Sequence, residues 1–298
     1  MPIKKNKIII IIGPTASGKS ALAVQIAKKF NGEIISADSR QVYKGLDIGS
    51  GKITDKEKLG IKHYLLDIIS PKKVFTASLF KYKANKAIKT ILKKNKLPII
   101  AGGTGFYIDT IIYDLDLPEV KPNKRLRQSL DNKKSEELFK ILVNLDPQRA
   151  KTIDIHNRPR LIRAIEIATK LGQVPILKQK INPQYDFLII GIKTSATDLK
   201  QKIDQRLRRR LKQGLVVEVK NLQQNQVSWQ RLYNLGLEYR YVSAYLKKEI
   251  TKEEMIKILN QEISKYAKRQ ITWFKKYKQA HWLVQPNQAF TLVEKFIK

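Results

Sequence analysis

This sequence predicts a doubly wound α/β fold: a parallel sheet with helices on both faces. Residues 8–12 are five consecutive isoleucines closed by Gly13, the β-branched run of a strand buried on both sides. Strand-like and helix-like runs then alternate over the first hundred residues, with strands running into glycine-rich turns. The alternation stops at a charged junction bracketed by Pro118 and Pro122 and resumes after Pro183.

Taken in order, Lys19 to Phe30 reads as a helix, because Ala21, Leu22, Ile26 and Phe30 form one apolar stripe. Strands are expected at Glu33–Ser36 and His63–Ile69, then a helix over about Ser78–Lys94. A strand at Leu97–Ala101 leads into Gly102-Gly103-Thr104-Gly105. Between 123 and 182 no strand is expected. Leu138, Ile141, Leu142 and Leu145 have helical spacing, as do Leu161, Ala164, Ile165 and Ala168. Pro159 suits a first helical position and Gly172 a helix stop. Phe187–Ile192 returns to the sheet, and the last third is expected to be helical. There Thr251 and Glu254 form a capping box. Ile256, Leu259, Ile263, Ala267, Ile271 and Phe274 follow along one face, with Lys265, Arg269 and Lys276 opposite. The expected organisation is an α/β core over 1–122, a helical insertion over 123–182, and a return to the core with C-terminal helices over 183–298.

The chain has 298 residues, 42% hydrophobic and 29% charged, which excludes a disordered protein. The absence of cysteine excludes a disulfide framework and a Cys-ligated zinc site. His63, His156 and His281 are too scattered for a metal cluster. Ile8–Ile12 is too short for a signal-peptide core or a membrane span. A cytoplasmic protein without a membrane partner is expected. The formal net charge of +33 creates a field that attracts polyanions, nucleic acid among them. Lysine outnumbers arginine 45 to 14, a bias that coding preference can also produce.

Gly13-Pro14-Thr15-Ala16-Ser17-Gly18-Lys19-Ser20 fits G-x-x-x-x-G-K-[ST], directly after a strand and before a helix. This is the P-loop, and it makes the core P-loop NTPase-like. Its glycines let successive amides turn inward onto phosphate oxygens. Lys19 adds a point charge, the helix N-terminus adds its dipole, and Ser20 can hold Mg2+. A diphosphate or triphosphate is the expected ligand, but the motif does not say what carries it.

The segment Ile34-Ile-Ser-Ala-Asp38-Ser39-Arg40-Gln41-Val-Tyr43, continuing to Gly49, joins the loop in resembling the tRNA dimethylallyltransferase (tRNA isopentenyltransferase) family, bacterial type. The likeness continues through HYLLDI (63–68), PIIAGGTGFYI (98–108), RPRLIRAIEI (158–167), IDQR (203–206), GLVVEV (214–219) and YAKRQITWF (266–274). Two places depart from the family pattern: Arg40, at a position often apolar, and Leu237-Glu238-Tyr239-Arg240, where Tyr-Lys-Glu is commoner. The resemblance implies transfer of a dimethylallyl group from dimethylallyl diphosphate to the exocyclic amine of adenosine 37, next to the tRNA anticodon. It implies a diphosphate held by residues 13–20, with Thr15, Lys19 and Arg206 at its oxygens and Mg2+ on Ser20. It implies Asp38 as the base, and Asp38 stands at the carboxyl end of the second strand, which is expected beside the first. It implies tRNA contacts through Asp38, Ser39, Arg40, Gln41, Thr104, Arg125, Pro159, Arg160, Leu161, Ile162 and Arg163. The expected partners are the anticodon stem-loop of tRNA and dimethylallyl diphosphate, bound by a monomer.

Simpler roles stay open for several of these residues. Asp38 can cap the turn after its strand, and Arg206 can belong to a solvated cluster running to Arg210. The GGTG turn can be purely structural, and Arg163 can form a surface ion pair with Glu166. The alternative activities are a P-loop kinase, a prenyltransferase acting on a free adenine nucleotide, and a non-catalytic nucleic-acid-binding ATPase module.

Overall fold

The computed structural model describes residues 5–298. The chain opens with β1 (Asn6–Ile12), α1 (Lys19–Lys29), β2 (Gly32–Ser36), the single turn α2 (Asp55–Lys58), β3 (His63–Tyr64), α3 (Ala77–Lys93), β4 (Leu97–Ala101) and α4 (Gly105–Ile112). Four helices follow: α5 (Lys124–Asp131), α6 (Ser135–Leu145), α7 (Pro147–Ala150) and α8 (Arg158–Leu171). The remainder is β5 (Tyr185–Ile192), α9 (Ala196–Lys212), α10 (Leu215–Gln224), α11 (Trp229–Leu235), α12 (Leu237–Leu246), α13 (Lys252–Phe274), β6 (His281–Leu283) and α14 (Gln288–Ile297).

The six strands form one sheet in the order β3-β2-β4-β1-β5-β6, parallel at every pairing. β1 is central, and its isoleucines are apolar on both faces for that reason. Ile8, Ile10 and Ile12 join a core built with α3, α4 and α9 through α13. Ile9 and Ile11 join a second core with α1 and α14. All five are fully buried, the two-sided burial that a parallel sheet requires.

The structure corrects the expected order at one functional point. Asp38 follows β2, which was expected beside β1; β4 lies between them, pairing Ile11 with Ala101 on one side and Ser36 with Ala101 on the other. The strand expected over His63–Ile69 stops at Tyr64. Leu65 and Asp67 take left-handed backbone angles (φ 65° and 54°), and Ile69 keeps only an isolated bridge to Tyr43. The last third is not wholly helical, since β6 adds an edge strand beside β5. Three residues, of which only Leu283 is buried, carry too little periodicity to be read in advance. On α13 the capping box forms, with Thr251 and Glu254 exchanging bonds of 2.7 and 3.2 Å. Its buried stripe includes Met255 and Gln270, while Ile256 and Ile271 are half-buried.

The chain divides into two compact units. One comprises the chain up to Asp114 and from Ile181 onward; the other runs from Leu115 to Lys180, against the expected 123–182. The smaller unit is helical. Leu138 and Leu142 of α6 pack with Leu161, Ala164, Ile165 and Ala168 of α8, and Leu130 and Ala150 complete its core. Ile141 is half-buried, and Leu145, at the end of α6, is exposed. Pro159 sits at the start of α8, and Gly172, at φ 80°, ends it.

Candidate functional site

The P-loop curls between β1 and α1. Gly18, at φ 89°, is the residue before α1, a left-handed position that glycine adopts without a Cβ penalty. Lys19 folds back so that its Nζ donates to Pro14 O at 2.6 Å. The loop therefore closes around its own ammonium group, at the N-terminus of α1, where an anion gains from backbone N–H groups and the helix dipole. Ser17 Oγ, also in the loop, is buried without a hydrogen-bond partner.

The opposite wall comes from α9, 191 residues away in sequence from Thr15. The helix is capped by Ser195, whose Oγ accepts from Asp198 N at 3.0 Å, and it buries Leu199, Ile203, Leu207 and Arg210. This register turns Arg206 to the loop, where its Nη1 donates to Thr15 Oγ1 at 3.0 Å. Arg206 is thus no member of a solvated cluster, whereas Arg208 is exposed and pairs with Asp204 at 2.8 Å. Burial pushes the Arg206 guanidinium down to about 10, with Arg210 adding to the effect and Glu238 and Asp38 opposing it. Burial also pushes Lys19 down to about 7, assisted by Arg206 and opposed by Asp38. Two cations strained in this way define a site short of negative charge. They line a cavity of about 1000 Å³, walled further by Lys202, Arg209 and the loop carrying Gly51 and Lys52.

Asp38 stands two residues beyond β2. Its Oδ1 accepts from Arg40 N at 2.8 Å and Gln41 N at 3.3 Å, so the turn-capping role is real. Both bonds fall on that one oxygen, and its charge acts on both Lys19 and Arg206. Thr104 Oγ1 accepts from Ser39 N at 3.0 Å, which fastens the Asp38 turn to the GGTG turn. The two backbones approach so closely that a Cβ on Gly102 would strike the Ala37 carbonyl. Gln41 accepts from Ser36 Oγ at 2.9 Å and donates to Gly51 O at 3.2 Å. Arg40 Nε donates to Leu235 O at 2.5 Å, at the end of α11. Ser39, Arg40, Gln41 and Thr104 therefore build the turn that presents Asp38.

Sequence reading missed Gln270 and Glu218. Gln270, buried on α13, accepts from Thr15 N at 2.8 Å and donates to Gly103 O at 2.8 Å. One amide thus bridges the P-loop and the GGTG turn, 255 and 167 residues away in sequence. The carboxylate of Glu218 on α10 accepts from Asp47 N, Ile48 N and Gly49 N at 2.6–3.0 Å, fixing the loop that walls the cavity. Both lie in segments that carry the family resemblance, Gln270 in YAKRQITWF and Glu218 in GLVVEV, and that was the available signal.

In the helical unit Arg125, Pro159 and Arg160 are exposed, and Ile162 and Arg163 are half-buried. Leu161 is fully buried in that unit's core, because helical spacing sets it on the stripe of Ala164, Ile165 and Ala168. The Leu161 side chain therefore packs inward and offers no surface of its own. The Arg163–Glu166 pair is not a surface pair either. The Glu166 carboxylate is fully buried, and it accepts from Arg127 Nε and Nη2 at 2.7 Å each, from Asn123 N at 2.8 Å and from Arg163 Nη1 at 3.3 Å.

Ser20, exposed on the first turn of α1, offers one hydroxyl to a cation. Among the described residues no group of three His, Cys, Asp or Glu side chains could hold a metal ion. A single hydroxyl donor fits Mg2+, a cation commonly bound by few protein ligands. No helix among the described residues is long and apolar enough to cross a membrane.

The chain resembles known proteins along nearly its whole length. A family model described as IPP transferase matches residues 41–277. A tRNA dimethylallyltransferase of Acetivibrio thermocellus is 41% identical over 301 residues, covering 98% of this chain and 96% of the relative. The solved tRNA delta(2)-isopentenylpyrophosphate transferase of Staphylococcus epidermidis superposes with a TM-score of 0.71 at 38% identity, covering 98% of this chain and 100% of that one. A eukaryotic dimethylallyltransferase solved acting on tRNA superposes at 0.76 with 26% identity, over 93% of this chain and 73% of that one. With a family model across most of the chain and relatives near 40% identity over nearly all of it, this P-loop α/β protein belongs to the IPP transferase family, the tRNA dimethylallyltransferases.

Proposed function

We propose that this protein transfers the dimethylallyl group of dimethylallyl diphosphate to the exocyclic amine of adenosine 37, next to the anticodon of tRNA, releasing diphosphate. One observation carries the reading: Lys19, Thr15 and Arg206 form an anion cradle, and the carboxylate of Asp38 is in electrostatic contact with both of its cations. A diphosphate leaving group and a proton leaving an amine need these two elements together.

In the reaction the allylic carbon–oxygen bond breaks, its electrons going to the diphosphate, while the amine nitrogen forms the new carbon–nitrogen bond. Lys19, Arg206 and the P-loop amides stabilise the charge that grows on the leaving oxygens. Asp38, through the oxygen not engaged in its turn, takes the amine proton. Ser20 would hold a Mg2+ ion, which would supply further charge neutralisation. Gln270 keeps the P-loop and the GGTG turn in register, so that cradle and base hold their spacing.

An adenosine in a stacked anticodon loop must be splayed out to reach such a site. Arg125, Arg160 and Arg163 supply cations for the RNA backbone on the helical unit, and the net charge of +33 favours a tRNA over a free nucleotide. Labelled dimethylallyl diphosphate incubated with tRNA, an anticodon stem-loop, AMP or ATP tests the reading. Label in the stem-loop adenosine is expected. Label only in AMP or ATP would assign the protein to free nucleotides, and phosphoryl transfer from ATP would make it a kinase.

A further inference from the structure

Arg206 does not stand alone at the cradle. Arg210 lies one turn further along α9, and the guanidinium groups of both crowd the same spot: a Cβ on Gly51 would collide with Nη2 of each. Both side chains line the cavity. They differ in what they touch. Arg206 donates to Thr15 in the P-loop, whereas Arg210 Nη1 is held at 2.7 Å by Glu238 of α12, with both members of that pair buried. The next residue, Tyr239, is also buried and donates its hydroxyl to Glu218 Oε1 at 3.0 Å. Glu218 in turn holds the amides of residues 47–49. Glu238 and Tyr239 thus secure the cation and the loop behind the anion site, through hydrogen bonds to Arg210 and Glu218.

We infer that Glu238 is an affinity-setting counter-charge: it offsets the charge of Arg210 beside the anion site and so limits how tightly the diphosphate is held, which can then leave after transfer. This rests on the diphosphate-releasing reading above. The electrostatics has a definite sign. Removing a negative charge behind an anion site strengthens anion binding, whereas breaking a pair that is only structural weakens or leaves it.

Inorganic diphosphate is the probe, titrated calorimetrically into the full-length protein. Glu238→Gln should bind it more tightly, on the order of tenfold for one unit charge acting on a multiply charged anion. Arg210→Met should weaken it by a similar factor. The double variant, which removes one charge of each sign, should return to within about threefold of wild type. Unchanged or weaker binding by Glu238→Gln overturns the inference and leaves the pair a link between α9 and α12. Where that variant does not fold, unchanged affinity in Arg210→Met overturns it equally. Prenyl transfer by the wild type is measured in parallel. Its absence would count against the proposed function, while the diphosphate series would still decide the role of Glu238.

Discussion

Lys19 should take up a proton when the diphosphate binds. In the free protein, burial and the neighbouring Arg206 hold its ammonium near 7, from an ordinary 10.5, against the pull of Asp38. At pH 8, one unit above that value, about nine-tenths of Lys19 is neutral. A diphosphate carries several negative charges into contact with it, reverses the repulsion and restores the ammonium form. The uptake attributable to Lys19 is therefore about 0.9 proton at pH 8 and close to zero at pH 6. Calorimetric titrations of inorganic diphosphate in two buffers of different ionisation enthalpy give the proton count. Subtracting the count for Lys19→Met removes the contribution of diphosphate's own ionisation. The same linkage acts on folding. The folded pKa lies below the unfolded one, so the penalty for burying a charged lysine is complete below pH 7 and is relieved as pH rises from 7 towards 10.5. Stability of the free protein relative to Lys19→Met should rise through that window. Equal proton counts for wild type and variant at pH 8 would refute the argument and mean that Lys19 is charged before the ligand arrives.

Asp38→Ala should slow single-turnover transfer by about a hundred- to ten-thousandfold with tRNA binding nearly intact; a rate within a few fold of wild type would leave Asp38 a turn cap alone. Gln270→Leu, which cuts the bridge between Thr15 and Gly103, should lower that rate by up to about a hundredfold, the loss that a 1 Å misplacement can cause, and a wild-type rate would show that the two turns hold each other without it. Replacing Arg160 and Arg163 together by Ala should flatten the plot of log tRNA affinity against log salt by about one unit. Most of that change should come from exposed Arg160, because Arg163 is paired with Glu166; an unchanged slope would make both ordinary surface charges.

Much of the fold was legible because its signals are local. Five β-branched isoleucines closed by a glycine read as a strand covered on both faces. The P-loop spacing between that strand and a helix states its own ligand class. Thr251 and Glu254 form their capping box within one turn of backbone. The site was legible to the extent that motif residues carry their chemistry with them, as Lys19 and Asp38 do. Leu161 marks the limit on the other side: the spacing that made α8 readable also buries this residue, so a position matched to a motif was not a surface.

What the chain alone determined, then, was the α/β core, its interruption by helices, and an anion site beside a carboxylate. Tertiary structure decided the rest. It set β4 between β1 and β2, stopped β3 after two residues and added β6 at the edge. It brought Arg206 to Thr15 and Gln270 to both glycine turns, and it closed Arg210 onto Glu238. Those contacts join residues 28 to 255 positions apart. No local periodicity encodes them, because each forms only when packed helices on one face of the sheet carry distant side chains to the carboxyl ends of the strands.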